Sequence, residues 1–122
     1  MAKTILIVED NVLNLRFFND LLQARGFNTV QARDGETALD LVRSSRPDLV
    51  LLDMRLPGMS GFDVAQRLRA DDALHSVPIL AITALATSED ETRSRAAGCD
   101  AYLRKPVGMD ILLEAVEKMT AT

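Results

Sequence analysis

The sequence predicts an α/β fold, a doubly wound parallel sheet of five strands covered by helices on both faces. Three observations point to it. Short apolar stretches recur along the whole chain, and each is followed by a segment with helical apolar spacing. The clearest of them, ILIV at 5–8 and LVLL at 49–52, are apolar without alternation, as strands buried on both faces are. Gly and Pro residues punctuate the units.

The first strand is expected over Thr4–Val8. Leu13, Phe17, Leu21 and Leu22 then form a helical stripe that stops at Gly26, a natural helix end. Asn28–Ala32 reads as a second strand, and a helix from about Glu36 to Ser44 turns Ala38, Leu39 and Val42 inward. Pro47 closes that unit before the third strand, Leu49–Leu52. After a loop with Pro57, Gly58 and Gly61, a third helix carries Phe62, Val64, Ala65 and Leu68. Pro78 opens a fourth strand within 77–83, and Ser88 with Glu91 reads as a capping box for a helix ending near Gly98. A short fifth strand, Ala101–Leu103, precedes a last helix marked by Met109, Leu112, Leu113 and Val116.

Bulk properties narrow the function. The 122 residues suit one domain spanning 1–122, and no linker or repeat divides them. A net charge of −4 argues against nucleic acid, which needs phosphate-neutralising cations. The scattered Arg16, Arg25, Arg33, Arg43 and Arg46 alternate with acids as a solvated face does. No apolar run is long enough to span a membrane and no signal peptide is apparent, so a cytoplasmic chain is expected. Cys99, the only cysteine, allows no internal disulfide and reads as a small buried residue. His75, in a polar loop, reads as solvated.

Parallel sheets bind ligands beyond the carboxyl ends of their strands, where strand order reverses. Those ends here carry Glu9 and Asp10, then Asp53, Thr83 and Lys105. Adjacent carboxylates repel unless they share a cation, and Mg²⁺ takes carboxylate oxygens, water and phosphate. Asp53, emerging from a buried strand, suits a nucleophile that forms an acyl phosphate. Lys105 supplies a point charge for the phosphoryl oxygens. Pro106 after it permits a cis bond that aims the lysine inward. Thr83 adds a hydroxyl, and the small Ala84 leaves room for a phosphoryl group. Tyr102 alone would be a half-buried core aromatic.

Together, Glu9-Asp10-Asn11, Asp53 with Pro57 and Gly61, Thr83–Ala84 and Lys105–Pro106 resemble the receiver domains of bacterial two-component response regulators, over the whole chain. The opening and the LVLLDM and TALA segments are most similar to DivK-type single-domain receivers of alphaproteobacterial cell-cycle control. The resemblance implies a flavodoxin-like (βα)5 fold with strand order 2-1-3-4-5. It makes Asp53 the phosphoacceptor, with Asp10, Asp53 and the backbone carbonyl of Arg55 on Mg²⁺ (or Mn²⁺) and Glu9 acting through water. Thr83, Ala84 and Lys105 would contact the phosphoryl group, Tyr102 would be the switch aromatic, and Lys105–Pro106 the cis peptide. The implied donor is a phosphohistidine on a sensor histidine kinase or histidine phosphotransfer protein. Where most receivers carry two aspartates after the first strand, Glu9 replaces the first.

The expected output is a protein contact on the fourth helix, fifth strand and fifth helix, or onward phosphoryl transfer, with no output domain and no membrane or nucleic-acid partner. Ala84–Ser88 is the expected flexible element, and Arg55 and Leu85 occupy positions that tune hydrolysis. Val12, Leu13 and Leu15 are candidates for a kinase-docking patch, with ordinary core packing as the alternative for at least one. Three other functions compete. A haloacid-dehalogenase-like phosphohydrolase needs an acid two residues after its nucleophile, where Arg55 stands. A flavodoxin-type carrier needs a phosphate cradle where Glu9 and Asp10 would repel phosphate. A phosphate-independent scaffold would leave the acceptor set without use.

Overall fold

The computed structural model describes residues 2–84 and 87–121. Five strands and five helices alternate: β1 (Thr4–Val8), α1 (Val12–Ala24), β2 (Asn28–Ala32), α2 (Gly35–Ser45), β3 (Leu49–Asp53), α3 (Gly61–Ala70), β4 (Ile79–Thr83), α4 (Ser88–Ala96), β5 (Ala101–Arg104) and α5 (Met109–Thr120). All strand pairings are parallel and the order is β2-β1-β3-β4-β5, as expected. From β1 the chain first steps outward to β2 and then crosses back to β3. The order therefore reverses between β1 and β3, whose carboxyl ends lie side by side with Val8 level with Leu52.

Two apolar layers explain why the strands do not alternate. Ile5, Ile7, Leu49, Leu51, Leu80 and Ile82 meet α1 and α5 on one face. Leu6, Val8, Val50, Leu52, Ile79 and Ala81 meet the layer containing α2 and α3 on the other. Residue parity therefore assigns each strand side chain to a helix layer. A polar side chain at such a strand end is reached from one side only.

Three local expectations need correction. In α1 the buried line is Leu15, Phe18 and Leu22, whereas Leu13 is 76% and Phe17 41% exposed. This helix carries two parallel apolar lines, and periodicity alone does not say which meets the sheet. Leu15 consequently belongs to the core, not to a docking patch. In α4 the cap is Thr87 rather than Ser88: its hydroxyl oxygen accepts from Asp90 N–H at 3.1 Å, and its O–H donates to Asp90 Oδ2 at 2.9 Å. Both Thr87/Asp90 and Ser88/Glu91 fit the capping pattern, but Glu91 faces Arg95 at 3.6 Å instead. Met109, at the first turn of α5, is exposed while Leu112, Leu113 and Val116 are buried.

Helix α4 differs from its neighbours. Its sequence, SEDETRSRA, has no apolar stripe, and Ser94 is its one buried residue. The Ser94 hydroxyl is turned back onto the Asp90 carbonyl at 2.9 Å. From the helix surface, the Arg93 guanidinium lies 4.0 Å above the centre of the Phe62 ring in α3. The turn expected over Ala84–Ser88 includes positions 85 and 86, which lie outside the described residues.

Candidate functional site

Three of the sequence-predicted residues meet at the carboxyl rim. Lys105 Nζ donates to Glu9 Oε1 at 2.6 Å and to Asp53 Oδ2 at 2.9 Å. Both carboxylates are nearly inaccessible, with side chains 2% and 6% exposed, and the lysine is 16% exposed. Parity accounts for the meeting. Glu9 follows Ile5 and Ile7, Asp53 follows Leu49 and Leu51, and Lys105 follows Ala101 and Leu103, all on the α1/α5 side. Backbone ladders then hold the ends level: Glu9 N–H donates to Ala32 O, Met54 N–H to Ile82 O and Lys105 N–H to Thr83 O. The Lys105–Pro106 peptide is cis.

The remaining oxygens are also held. Asp53 Oδ1 accepts from Arg55 N–H at 2.9 Å, and Glu9 Oε2 accepts from Asn11 N–H at 3.1 Å. Burial pushes the Glu9 carboxyl above its ordinary pKa, and the neighbouring Asp53 carboxylate adds to the rise against the pull of Lys105. For Lys105, burial acts to lower the pKa, but the bonds to Glu9 and Asp53 outweigh it and the ammonium titrates above its ordinary value. Two carboxylates and one ammonium thus form a desolvated cluster with charge to spare on the acidic side.

The donor groups on this rim are oxygens, a set suited to a hard divalent ion that keeps several waters. The expected three-way convergence of carboxylates is not what the structure shows. Among the described residues, no three acidic, His or Cys side chains stand close enough to hold a metal. Asp10 is exposed beside Glu9, and its carbonyl accepts from Arg33 Nη2 at 3.3 Å. The Lys105 ammonium bridges Glu9 and Asp53 and makes no bond to Asp10 among those described. The two carboxylates still match the one or two that Mg²⁺ requires.

Thr83 and Tyr102 belong to the opposite parity. Thr83 ends β4 at 2% exposure, in line with Ile79 and Ala81, and Tyr102 packs half-buried against the same helix layer. Its phenol is pushed above the ordinary value by burial first and then by Asp90. Ala84 and Arg55 are exposed at the rim.

These features coincide with the comparisons to known proteins. The response regulator receiver domain family matches residues 5–117. The chain belongs to that family. It is 45% identical over 117 residues to the polar-differentiation response regulator DivK of Brucella anthropi, covering 96% of this chain and 95% of that protein. The receiver domain of a sensor histidine kinase from Pseudomonas aeruginosa PAO1 superposes with a TM-score of 0.92 at 30% identity and full coverage of both chains. That structure has a magnesium ion coordinated in its active site cleft. The chemotaxis protein CheY4 of Vibrio cholerae superposes with a TM-score of 0.92 at 26% identity, over 98% of this chain and 99% of that one. The chain is thus a DivK-like response regulator of the two-component type, with the CheY-like flavodoxin fold.

Sequence reasoning names Asn11 and Gly61 in the motif but not what they do in this receiver. Asn11 caps α1 through its side chain, which accepts from Asn14 N–H at 3.0 Å, while its own N–H holds Glu9. An Asn directly before an apolar helical run was the available signal. Gly61 stands in the motif quoted with Asp53 and Pro57, and the structure supplies its reason. A Cβ there would lie 2.5 Å from both the Asp53 carbonyl oxygen and Met54 Cα, so α3 begins directly against the Asp53 backbone only because position 61 is Gly.

Proposed function

We propose that this receiver accepts a phosphoryl group from a phosphohistidine donor onto Asp53 and signals through a protein-binding surface, in the cytoplasm, in a cell-cycle role like that suggested by its DivK relatives. The observation that carries the reading is the Lys105 ammonium held 2.9 Å from Asp53 Oδ2 at the rim of the strand-order reversal. An Asp53 carboxylate oxygen attacks phosphorus and forms the O–P bond of an acyl phosphate. The N–P bond of the donor breaks, and its electron pair returns to the imidazole, which takes up a proton from solvent. Charge spreads over the three equatorial oxygens. Lys105, the Thr83 hydroxyl and the Ala84 segment receive them.

Asp10, Asp53 and the Arg55 backbone carbonyl are the groups that would hold Mg²⁺ or Mn²⁺, with Glu9 reaching it through water. When bound, the ion offsets the negative charge shared by carboxylates and phosphoryl group. The magnesium of the Pseudomonas receiver supports this reading, as does the all-oxygen donor set.

The phosphoryl group is read out on the opposite parity. Thr83 moves toward it, and Tyr102, level with Ala81 on the adjoining strand, follows into the space released. The altered surface comprises α4, β5 and α5, where Ser88, Glu91, Tyr102, Arg104 and Ile111 line a groove of about 510 Å³. The donor side is the other apolar surface. The exposed large hydrophobics among the described residues are Val12, Leu13 and Phe17 on α1 and Met109 and Ile111 on α5. Those on α1 form the donor side, with Phe17 lining the same hollow as Lys105, where a sensor kinase or phosphotransfer protein must dock to deliver its phosphohistidine. With a net charge of −4, nucleic acid is not the partner.

Intact-mass measurement after incubation with acetyl phosphate and Mg²⁺ tests the assignment. Wild type gains one phosphoryl mass and Asp53→Ala gains none. Equal uptake by both would move the acceptor elsewhere.

A further inference from the structure

Helix α3 is seated directly on the strand that carries Asp53. Gly61 N–H donates to Met54 O at 3.2 Å, and a Cβ at 61 would lie 2.5 Å from the Asp53 carbonyl oxygen. The Ser60–Asp63 capping box fixes this first turn, so the next side chain, Phe62, is held buried against the α2/α3 layer. The Arg93 guanidinium of α4 lies over that ring, 4.0 Å from its centre. The polar contacts described for the other α4 side chains stay within the helix or its cap. Arg93 alone among them reaches across to α3.

We infer that the Arg93–Phe62 stack is a latch that positions α4, holding the helix in its resting place and giving way on phosphorylation. The inference rests on the receiver reading and deepens it by naming what sets the output groove from behind. Ser88 and Glu91 form the α4 wall of the groove shared with Tyr102, Arg104 and Ile111. Arg93 follows Glu91 by two positions, roughly 200° around the helix, and so projects from the opposite side. Helix α4 therefore cannot move toward or away from β5 without changing the gap between guanidinium and ring. Phe62 cannot follow, because the glycine before it is packed on the Asp53 backbone. The attraction needs the cation within about 6 Å of the ring centre, so a displacement of about 2 Å breaks it.

Hydrogen exchange on the full chain, followed by NMR without any phosphodonor, tests the latch. Arg93→Gln changes an exposed side chain, and Phe62→Leu keeps an apolar one without a π face. Each should speed exchange of the amides over 92–96 about two- to fivefold, the scale of one exposed cation–π contact. The double variant should be no faster than the faster single, because both changes remove the same contact. Unchanged exchange in Arg93→Gln, or effects that multiply in the double variant, would overturn the inference. Release is read on the unaltered protein, where misfolding is not at issue. The Arg93 Cδ protons, shifted upfield by the ring beneath them, should move downfield after treatment with acetyl phosphate and Mg²⁺. A signal that stays in place in phosphorylated protein would also overturn the inference. Phosphoryl uptake by mass on the same samples reports the receiver reading separately: uptake with no coupling between Arg93 and Phe62 sinks only the latch, and coupling without uptake on Asp53 sinks only the acceptor assignment.

Discussion

Lys105 Nζ and Glu9 Oε1 stand 2.6 Å apart although 96 positions of chain separate them. The contact closes the sheet's carboxyl rim from β1 to β5, spanning the two strands that lie between. It has a pH signature. The folded-state pKa of Lys105 is raised above the ordinary 10.5, so its stabilisation is complete below that value and is lost as pH rises through the folded one. Urea midpoints measured upward from pH 9 should fall more steeply for wild type than for Lys105→Met. Tyr102 and Cys99 are also raised and lose stability in the same direction, so the difference between the two proteins carries the prediction. Parallel curves would contradict it.

Arg69 binds two segments beyond its own helix, 75–77 and 98–100, at the end of the sheet away from the rim. Its guanidinium donates to the carbonyls of Gly98, His75 and Val77 and to Asp100 Oδ2, at 2.7–2.9 Å. Arg69→Met should cost about 2–4 kcal/mol in chemical denaturation, because several acceptors lose a charged donor at once. Arg43→Met, which removes only exposed contacts at 3.7 and 3.9 Å, should cost about 0–1 kcal/mol. Gly98→Ala should also destabilise. Its φ is 106°, and a Cβ there would meet Arg69 Cγ at 2.4 Å.

The cap of α4 separates two sequence readings that look alike. Thr87→Ala should lower stability by about 1 kcal/mol, and Ser88→Ala by a few tenths at most. Equal losses in thermal melts would contradict the observed cap.

Cys99 is buried, and its thiol is pushed up to about 12, chiefly by burial. Iodoacetamide at pH 8 should leave the native protein unlabelled and modify it fully in denaturant, with mass spectrometry as the readout. Native labelling at the denatured rate would show the thiol to be accessible.

Tyr102→Ala should take up phosphate normally yet blunt its consequences. Amide NMR shifts over 88–96 and 101–111 on phosphorylation should shrink relative to wild type. Undiminished shifts would remove Tyr102 from the signal path.

The fold was legible because both-face burial leaves a simple mark, an unbroken apolar run, in β1, β3 and β4, while the more polar edge strands β2 (NTVQA) and β5 (AYLR) were placed by the helices and turns around them. The rim residues were legible because they sit at those runs' ends, where a polar side chain interrupts hydrocarbon. Pairings across space were not. That Lys105 would choose Glu9 over Asp10 depends on strand parity and on the reach of one extra methylene, neither of which local pattern encodes. The α1 stripe failed for a related reason: Leu13 and Phe17 have the same periodicity as Leu15, Phe18 and Leu22, and only the neighbouring sheet distinguishes them. Gly61 reveals itself only when the backbone of Asp53 is brought against it.

A helix resting on a serine is cheap to shift. Elsewhere in this molecule, tilting a helix would strip water-hating surface from a leucine or phenylalanine; tilting α4 unseats little more than a hydroxyl already satisfied within its own turn. What it gives up besides is the Arg93 guanidinium over the Phe62 ring, about 0.5–1 kcal/mol at an exposed site, less than the roughly 1.5–3 kcal/mol that one hydrogen bond to a charged group supplies. Local softness next to a stiff reactive end lets a small chemical event be felt at a distance without melting anything.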